Sequence, residues 1–394
     1  MSPQSEEIQL VAYAELSPLQ QKQRLKELAF VFLKLGTIAF GGPAAHIALM
    51  NLEVVKRRQW LSREKLLDLL GVTNLIPGPN STELAIHIGY ERGGWRGLIL
   101  AGSCFILPAM LIVWTLAAIY VRYQQLPELE WVLYGIKPVI IAIVVQALWQ
   151  LGKKAIKDIP TMMVGVAVVA AFFLGVNEIL LLLLAGLVVM LSKNLNGTVG
   201  ALLLPVSGVL AVGSSPISAS ATWLNVFLFF LKIGSVLYGS GYVLLAFLQR
   251  DLVERNQWLT SQQLLDAIAI GQITPGPVFT TATFIGYLLA GNAGAITGTI
   301  GIFLPAFILV AVINPWVPKL RGSPLVSSAL DGVNAASLGL MAAVTFSLGQ
   351  AALVDLLTVV LAVVSAFVVF RFKVNSAWLV LAGGIVGLVA QLIT

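Results

Sequence analysis

The chain has 394 residues, of which 58% are hydrophobic and 11% are charged. A soluble globular chain carries roughly a quarter of charged residues, so this composition argues against a soluble enzyme, a disordered linker or a secreted disulfide scaffold. One cysteine and two histidines are too few for a zinc, haem or iron–sulfur site, and we expect no cofactor. The net charge of +6 comes without a basic stretch interleaved with aromatic residues, so we expect no nucleic-acid partner. The composition predicts an all-α polytopic membrane protein with the lipid bilayer as its environment.

Apolar runs long enough to cross a bilayer follow a polar N-terminal segment at 1–27. A spanning helix needs about 20 mostly apolar residues. In chain order the candidate spans are 28–50, 98–121, 131–151, 159–176, 178–192, 222–247, 294–317, 328–350, 353–370 and 376–393. This pattern predicts about ten spanning helices, five in each half of the chain. With that count, the excess of Lys and Arg in alternate loops predicts that both termini lie outside the cell.

Two further apolar stretches, 66–90 and 264–290, are each interrupted by Pro-Gly-Pro, at Pro77, Gly78 and Pro79 and at Pro275, Gly276 and Pro277. Proline removes a backbone donor and clashes with the preceding turn, so neither stretch can be one continuous helix. The pieces on either side are too short to span a bilayer. We interpret both stretches as re-entrant hairpins that enter and leave the same face. A non-helical backbone inside the membrane is tolerated only beside protein or a water-filled cavity. The two interruptions therefore indicate a pathway through the membrane.

The chain repeats itself at a spacing of about 198 residues. The residues Phe32–Gly36 recur as Phe230–Gly234, the run Gln59-Trp60-Leu61 recurs as Gln257-Trp258-Leu259, and the two Pro-Gly-Pro elements correspond in the same way. We therefore divide the chain into a first repeat at 28–193, a linker at 194–221 and a second repeat at 222–394. An odd number of spans per repeat predicts an inverted-topology duplication. Inverted repeats with interrupted helices are typical of secondary transporters, with the substrate site at the interruptions.

Helix N-termini at these interruptions suit an anion, because they present free N–H groups and a partial positive charge. The candidate anion-binding residues are Asn80, Ser81 and Thr82 after the first Pro-Gly-Pro, Thr280 and Thr281 after the second, and the breaks Gly41-Gly42-Pro43 and Gly239-Ser240 in the first span of each repeat. The alternative for the hydroxyl and amide side chains is plain helix capping. For the glycines it is close packing of helices by small residues.

Five ionisable residues inside the apolar runs are candidates for charge or proton transfer. Lys34 and Lys232 are equivalent in the two repeats and could balance a dianion in a cavity, or could extend to the headgroup region instead. Glu83 and His87 are spaced i, i+4 and suit a proton relay, with an ordinary stabilising pair as the alternative. His46 follows the Gly-Gly-Pro break and is either a third proton-transfer candidate or a core histidine with satisfied hydrogen bonds.

The run from Phe40 to His46, the run from Pro77 to Glu83 and the tripeptide Ile88-Gly89-Tyr90 resemble motifs of the chromate ion transporter (CHR) family. The resemblance covers residues 28–393 and implies an inner-membrane protein with two oppositely oriented halves that exports chromate and confers chromate resistance. The second half departs from the first motif, because Tyr238-Gly239-Ser240-Gly241 replaces Phe-Gly-Gly-Pro.

Three other readings stay open at this point. A transporter or exchanger of the same fold for sulfate or another anion would use the same donors. An intramembrane enzyme, with Ser81 or Ser240 as nucleophile and a histidine as base, is a remote alternative because the chain has no nucleophile-elbow motif. The sequence also leaves open whether the chain works as a homodimer.

Overall fold

The computed structural model describes residues 13–40, 42–73, 76–123, 126–194, 221–238, 243–313, 324–372 and 374–393. Within these ranges the regular structure is helical throughout, with two π-helical segments, Asn51–Arg57 and Leu248–Arg255. The α-helices of the described ranges are α1 (Pro18–Ile38), α2 (Gly42–Met50), α3 (Arg63–Thr73), α4 (Asn80–Tyr123), α5 (Pro127–Ala155), α6 (Ile159–Phe173), α7 (Glu178–Asn194), α8 (Trp223–Val236), α9 (Leu244–Phe247), α10 (Ser261–Ile273), α11 (Thr281–Ile313), α12 (Pro324–Ala352), α13 (Leu356–Phe372) and α14 (Ser376–Ile393).

Several of these helices can cross a bilayer, so the chain is an all-α polytopic membrane protein. Among the described residues, four segments are long and apolar enough: Asn80–Tyr123, Pro127–Ala155, Val278–Ile313 and Pro324–Ala352. Shorter apolar helices lie at Ile159–Phe173, Trp223–Val236, Leu356–Phe372 and Ser376–Ala390.

Each of the helices α4 and α11 folds back on itself. Gly94 and Gly291 have φ angles of +56° and +58°, which glycine adopts without strain, and a helix cannot continue through them. In α11 the hydroxyls of Thr283 and Thr299 are 2.7 Å apart, although sixteen residues of straight helix would separate them by about 24 Å. In α4 the backbones of residues 89 and 97 touch in the same way. Each element is therefore two antiparallel helices joined by a tight turn.

The predicted helix interruption at each Pro-Gly-Pro is confirmed. Helix α3 ends at Thr73 and α4 begins at Asn80, while α10 ends at Ile273 and α11 begins at Thr281. Lys65, near the start of α3, lies 3.0 Å from Glu91, near the turn of α4. These two helices therefore run antiparallel, and Pro-Gly-Pro lies at the tip of the hairpin that they form.

The predicted single spans at 28–50 and 222–247 are wrong, because the chain turns back inside each of them. Helix α1 ends at Ile38 and α2 begins at Gly42, whose φ of +76° needs a glycine. The Lys34 ammonium lies 2.7 Å from the Glu53 carboxylate, whereas nineteen residues of straight helix measure about 28 Å. In the second repeat α8 ends at Val236, and Lys232 lies 3.0 Å from Asp251. The count of ten uninterrupted spans therefore does not hold in the described ranges.

The two repeats interlock rather than forming separate bodies. The backbone at Gly135 of α5 touches that at Gly383 of α14, and the backbone at Gly332 of α12 touches that at Ala185 of α7. Small residues at these crossings let the backbones approach closely. The long helix α5 also packs on α13, and α12 packs on α6. The central helix of each repeat is thus held by the last two helices of the other.

Lysine and arginine residues concentrate at one end of the helix bundle, which we call the basic end. Arg92 lies 2.9 Å from Glu27 and stacks over Trp60, so the start of α1 lies at this end together with the turn of α4. Lys22, Arg24 and Lys26 in the first turns of α1 therefore lie on the same side as the basic loops, whereas the sequence predicts that the N-terminal segment lies on the other side. We call the other end, which α4 reaches at Tyr123, the opposite end.

The two terminal helices point to different ends of the bundle. Helix α14 runs antiparallel to α5, because Gly383 contacts Gly135 and Gly387 contacts Trp131. Since α5 starts at the opposite end, α14 finishes there, whereas α1 starts at the basic end. The described ends of the first and last helices therefore lie on different sides, whereas the sequence predicts one side for both termini.

Candidate functional site

The tips of the two Pro-Gly-Pro hairpins meet the ends of α1 and α8 in the interior of the protein. The N–H of Gly78 donates to the carbonyl of Leu237 at 2.7 Å, and the N–H of Gly276 donates to the carbonyl of Ala39 at 2.9 Å. The neighbouring prolines have no N–H, so glycine supplies the donor at each tip. Each hairpin of one repeat is thereby bonded to the last turn of the first helix in the other repeat.

His46 joins three helix ends in the first repeat. Its Nε2 lies 3.0 Å from the carbonyl oxygen of Ala39, at the end of α1, and its Nδ1 lies 3.1 Å from Ser81 Oγ, in the first turn of α4. Because a carbonyl only accepts, Nε2 carries the hydrogen, and Nδ1 accepts from the Ser81 hydroxyl. With both ring nitrogens engaged and the ring buried against Phe105, His46 fixes the geometry of the breaks.

Glu83 lies just inside the first turn of α4 and is fully buried. Neither of its carboxylate oxygens has a hydrogen-bond partner among the described residues, and Oε1 lies directly against the backbone of Gly78. An ionised carboxylate buried in this way costs several kcal/mol, so the site favours the neutral acid. His87, one turn further along α4, is also fully buried.

A cavity of about 750 Å³ leads from the basic end to these helix breaks. It lies within the size range of small-molecule sites, roughly 300–1,000 Å³. At its outer part are Lys154 and Asn375, and at its inner part are Phe40 and Asn80. The other polar side chains of the wall come from α5, α12 and the start of α14, and they are Gln146, Gln150, Asn334, Ser337 and Ser376.

The lining of this cavity suits an anion. Helices α2 and α4 begin at its wall, with Gly42, Pro43 and Asn80 among the lining residues, so two helix N-termini contribute partial positive charge. Lys154 is the charged residue among the described lining residues, which include no carboxylate. The remaining polar groups are amides and hydroxyls, which donate hydrogen bonds without a fixed charge that would hold an anion permanently.

The structure places Lys34 and Lys232 away from the cavity. Lys34 pairs with Glu53, which also accepts from Arg57 at 2.8 Å, and Lys232 pairs with Asp251, which accepts from Arg255 at 2.9 Å. The two lysine side chains are 38% and 45% exposed, so they extend toward the surface. These matched ion clusters stabilise equivalent turns in the two repeats.

Other predicted site residues take structural positions. The hydroxyl of Thr280 donates to the carbonyl of Pro277 and that of Thr281 to the carbonyl of Val278, each at 2.8 Å, so both bond within their own turn. Ser81 and Thr82 are buried beside the cavity wall. Gly41, Gly239 and Ser240 lie outside the described residues, as does most of the linker.

Sequence reasoning missed the polar face of α5 and its partners on α12. Gln146, Gln150 and Lys154 follow one another at i, i+4 and i+8, which places them along one face of the helix. That periodicity inside an apolar span is a signal that the sequence alone carries. Asn334 and Ser337 give a similar, weaker signal at i, i+3.

Comparison with known proteins agrees with this picture. The family model described as Chromate transporter matches residues 26–190 and again residues 224–388, one match in each repeat. The chain belongs to the chromate transporter family. Members of this family are transport proteins rather than enzymes.

Three relatives illustrate the similarity. The chromate transport protein of Cupriavidus metallidurans is 32% identical over 378 residues, covering 93% of each chain. The probable chromate transport protein of Synechococcus elongatus is 33% identical over 354 residues, covering 86% of this chain and 88% of the relative. The chromate transport protein of Pseudomonas aeruginosa is 31% identical over 376 residues, covering 90% of each. No solved structure matches this chain.

Proposed function

We propose that this chain is a secondary transporter that exports chromate across the inner (plasma) membrane and thereby confers chromate resistance. The observation that carries the proposal is the cavity at the basic end, lined by amide and hydroxyl donors, two helix N-termini and Lys154. The positive-inside rule favours a cytoplasmic location for the basic end. A cavity open at that end would load its anion from the cytoplasm.

The membrane potential supports the direction of transport. Moving one elementary charge through 100 mV is worth about 2.3 kcal/mol, so a dianion that leaves an inside-negative cell gains roughly twice that. Export is electrically downhill for chromate, whereas accumulation would require more than two co-transported cations. Efflux should therefore increase with the potential, and a flux that does not respond to it would indicate coupled exchange.

The proposed substrate-binding residues are taken from the cavity wall: Gly42, Asn80, Gln150, Asn334 and Ser337. Lys34 and Lys232, which the sequence suggested, are left out because their ammonium groups pair with Glu53 and Asp251. We assign Glu83 as the group that takes up a proton during the transport cycle, with His87 as its neighbour on α4. His46 is instead a positioning residue.

An inverted-topology duplication with re-entrant hairpins is part of the same proposal. Equivalent helices of the two repeats, the second parts of α4 and α11, run antiparallel. Trp114 donates to the side chain of Asn292 at 3.0 Å, and Gly102 lies against Phe307. The hairpin tips meet in the interior, as expected for hairpins that enter the membrane from its two faces.

Sulfate is the second candidate substrate. Chromate and sulfate are both tetrahedral dianions, and the polar side chains of the cavity, which apart from Lys154 are neutral, offer little to tell them apart. Competition of unlabelled sulfate against chromate flux measures the preference directly. Sulfate that competes at equal concentration would make the protein a general oxyanion transporter.

The proposal is tested by chromate uptake into inverted membrane vesicles, in which the cytoplasmic face is outside. Gln150→Leu removes a donor from the cavity wall, and we expect uptake at low chromate to fall about tenfold, the usual effect of losing a hydrogen bond to a charged group. Gln262→Leu is the matched control, because Gln262 lies at the opposite end and bonds to the carbonyl of Ala351. Equal effects of the two substitutions on uptake would contradict the assignment of the cavity as the chromate-binding site.

A further inference from the structure

Residues of the cavity wall have counterparts in the other repeat, at a constant difference in residue number. These counterparts form a second set of positions toward the opposite end. Asn334 lies ten residues after the start of α12, and Lys137 lies ten residues after the start of α5. The backbone crossings at Gly135 and Gly332 follow the same offset of 197 residues, as do the capping residues Asp158 and Asp355. Lys137 therefore occupies, in the first repeat, the place that Asn334 has in the second.

At the opposite end this second set of positions is packed shut. On the cavity wall Ala147 and Leu151 of α5 are partly exposed, whereas their counterparts on α12, Val344 and Leu348, are fully buried. The structure thus shows one of two equivalent places open and the other closed.

Lys137 is held in a buried charged cluster. Its ammonium lies 3.2 Å from Asp266 Oδ1, and the Tyr120 hydroxyl donates to Asp266 Oδ2 at 2.9 Å. The side chains of Lys137 and Asp266 are only 14% and 5% exposed. The desolvation penalty of a buried ion pair often equals its Coulombic attraction, so such a pair adds little net stability to an apolar helix bundle.

We propose that a second cavity opens at the opposite end when the basic-end cavity closes, and that Lys137 binds the oxyanion there, as Asn334 contacts it in the first. This inference rests on the proposed function. In the closed arrangement Lys137 pairs with Asp266, which also accepts a hydrogen bond from the Tyr120 hydroxyl. In the open one the dianion replaces Asp266, and the return of Asp266 to Lys137 expels the anion. The two cavities differ in that the second carries an ammonium group where the first carries an amide.

Cysteine accessibility tests this inference, because Cys104→Ser gives a cysteine-free background. In that background we compare Asn334→Cys with Lys137→Cys, the latter combined with Asp266→Asn so that no unpaired charge is buried. A membrane-impermeant thiol reagent is applied to right-side-out and to inverted vesicles, with and without chromate. We expect the cysteine at 334 to react from the basic end, and the cysteine at 137 to react from the opposite end, several-fold faster during chromate transport.

A cysteine at 137 that stays unreactive from the opposite end during transport, or that reacts from the basic end, would overturn the inference. A second pair of variants covers loss of folding. Lys137→Arg should keep the apparent chromate affinity at both faces, whereas Lys137→Gln with Asp266→Asn should weaken it about tenfold at the opposite face alone. Equal weakening at both faces would mean a purely structural role. Absence of chromate transport by the unsubstituted protein would refute the proposed function instead.

Discussion

The ion pair between Arg250 and Glu178 connects the two repeats at the opposite end, and its removal should be strongly destabilising. Arg250 Nε lies 3.0 Å from Glu178 Oε1, and the two side chains are 9% and 2% exposed. The same guanidinium donates to the carbonyl of Phe172 and stacks on its ring. In Glu178→Ala the guanidinium stays buried without its counter-charge. Breaking a buried pair in this way costs about 3–5 kcal/mol, and the remaining Phe172 contacts favour the lower value.

Thermal unfolding in detergent measures this effect. We expect the Tm of Glu178→Ala to fall by several degrees, while the control Glu128→Ala, at an exposed position on α5, should leave it unchanged. The double variant Glu178→Gln with Arg250→Met removes both charges and should recover most of the loss, because replacing both partners of a buried pair is often neutral. A Glu178→Ala protein as stable as the control would refute the reasoning that this pair is a buried contact between the repeats.

Three further predictions concern the hairpin tip, the buried acid and a helix cap. Gly276→Ala should prevent folding or transport, because φ at this residue is +90° and a Cβ would lie 2.6 Å from a side-chain carbon of α4. The control Gly349→Ala has open space around it and should be tolerated. Immunoblotting measures the amount of folded protein, and chromate uptake measures transport. Glu83→Gln should fold normally yet lose the pH dependence of chromate efflux; an unchanged pH profile would remove Glu83 from the proton pathway. Hydrogen bonds from the Thr358 N–H and the Tyr134 hydroxyl lower the pKa of Asp355, which lies between α12 and α13. Its stabilisation is therefore present above the unfolded value near 3.9 and lost as pH falls through the folded pKa. Asp355→Ala should lower stability by about 1 kcal/mol at pH 7 and by progressively less as the pH falls through the folded pKa, measured as Tm.

Local rules were enough to find the Pro-Gly-Pro breaks, because proline acts within one turn of its own position. The same rules did not show that α1 and α2 form a hairpin. Length and hydropathy of 28–50 fit a single span, and the contact that reveals the reversal joins Lys34 to Glu53 across nineteen residues. Once the chain is seen to turn back there, the lysine has a partner, and its proposed role in a cavity loses its basis.

The cavity could be predicted only in part. Gly42 and Asn80 lie at helix N-termini that the sequence marks, and both line it. Gln150 and Asn334 lie within long apolar helices, where a polar residue can face lipid headgroups, another helix or a substrate pathway. Which of these applies depends on how the repeats interlock, and the pairing of α5 with α13 and α14 has no local signal in the sequence.

Differences between the repeats, rather than their similarities, indicate where the transport chemistry lies. Matched features, such as the helix crossings at Gly135 and Gly332, occur once in each repeat and hold the symmetric helix framework together. Glu83 has a threonine as its counterpart in the second repeat, and Asn334 has Lys137 in the first. On the proposal that a second cavity opens at the opposite end, a symmetric frame with asymmetric polar residues gives the two openings different affinities for the same anion. Exchanging the pair, with Lys137→Asn and Asn334→Lys in one chain and Asp266→Asn added so that no unpaired carboxylate is buried, should therefore reverse which face binds chromate more tightly. Equal affinities before and after the exchange would show that these two residues do not set the difference.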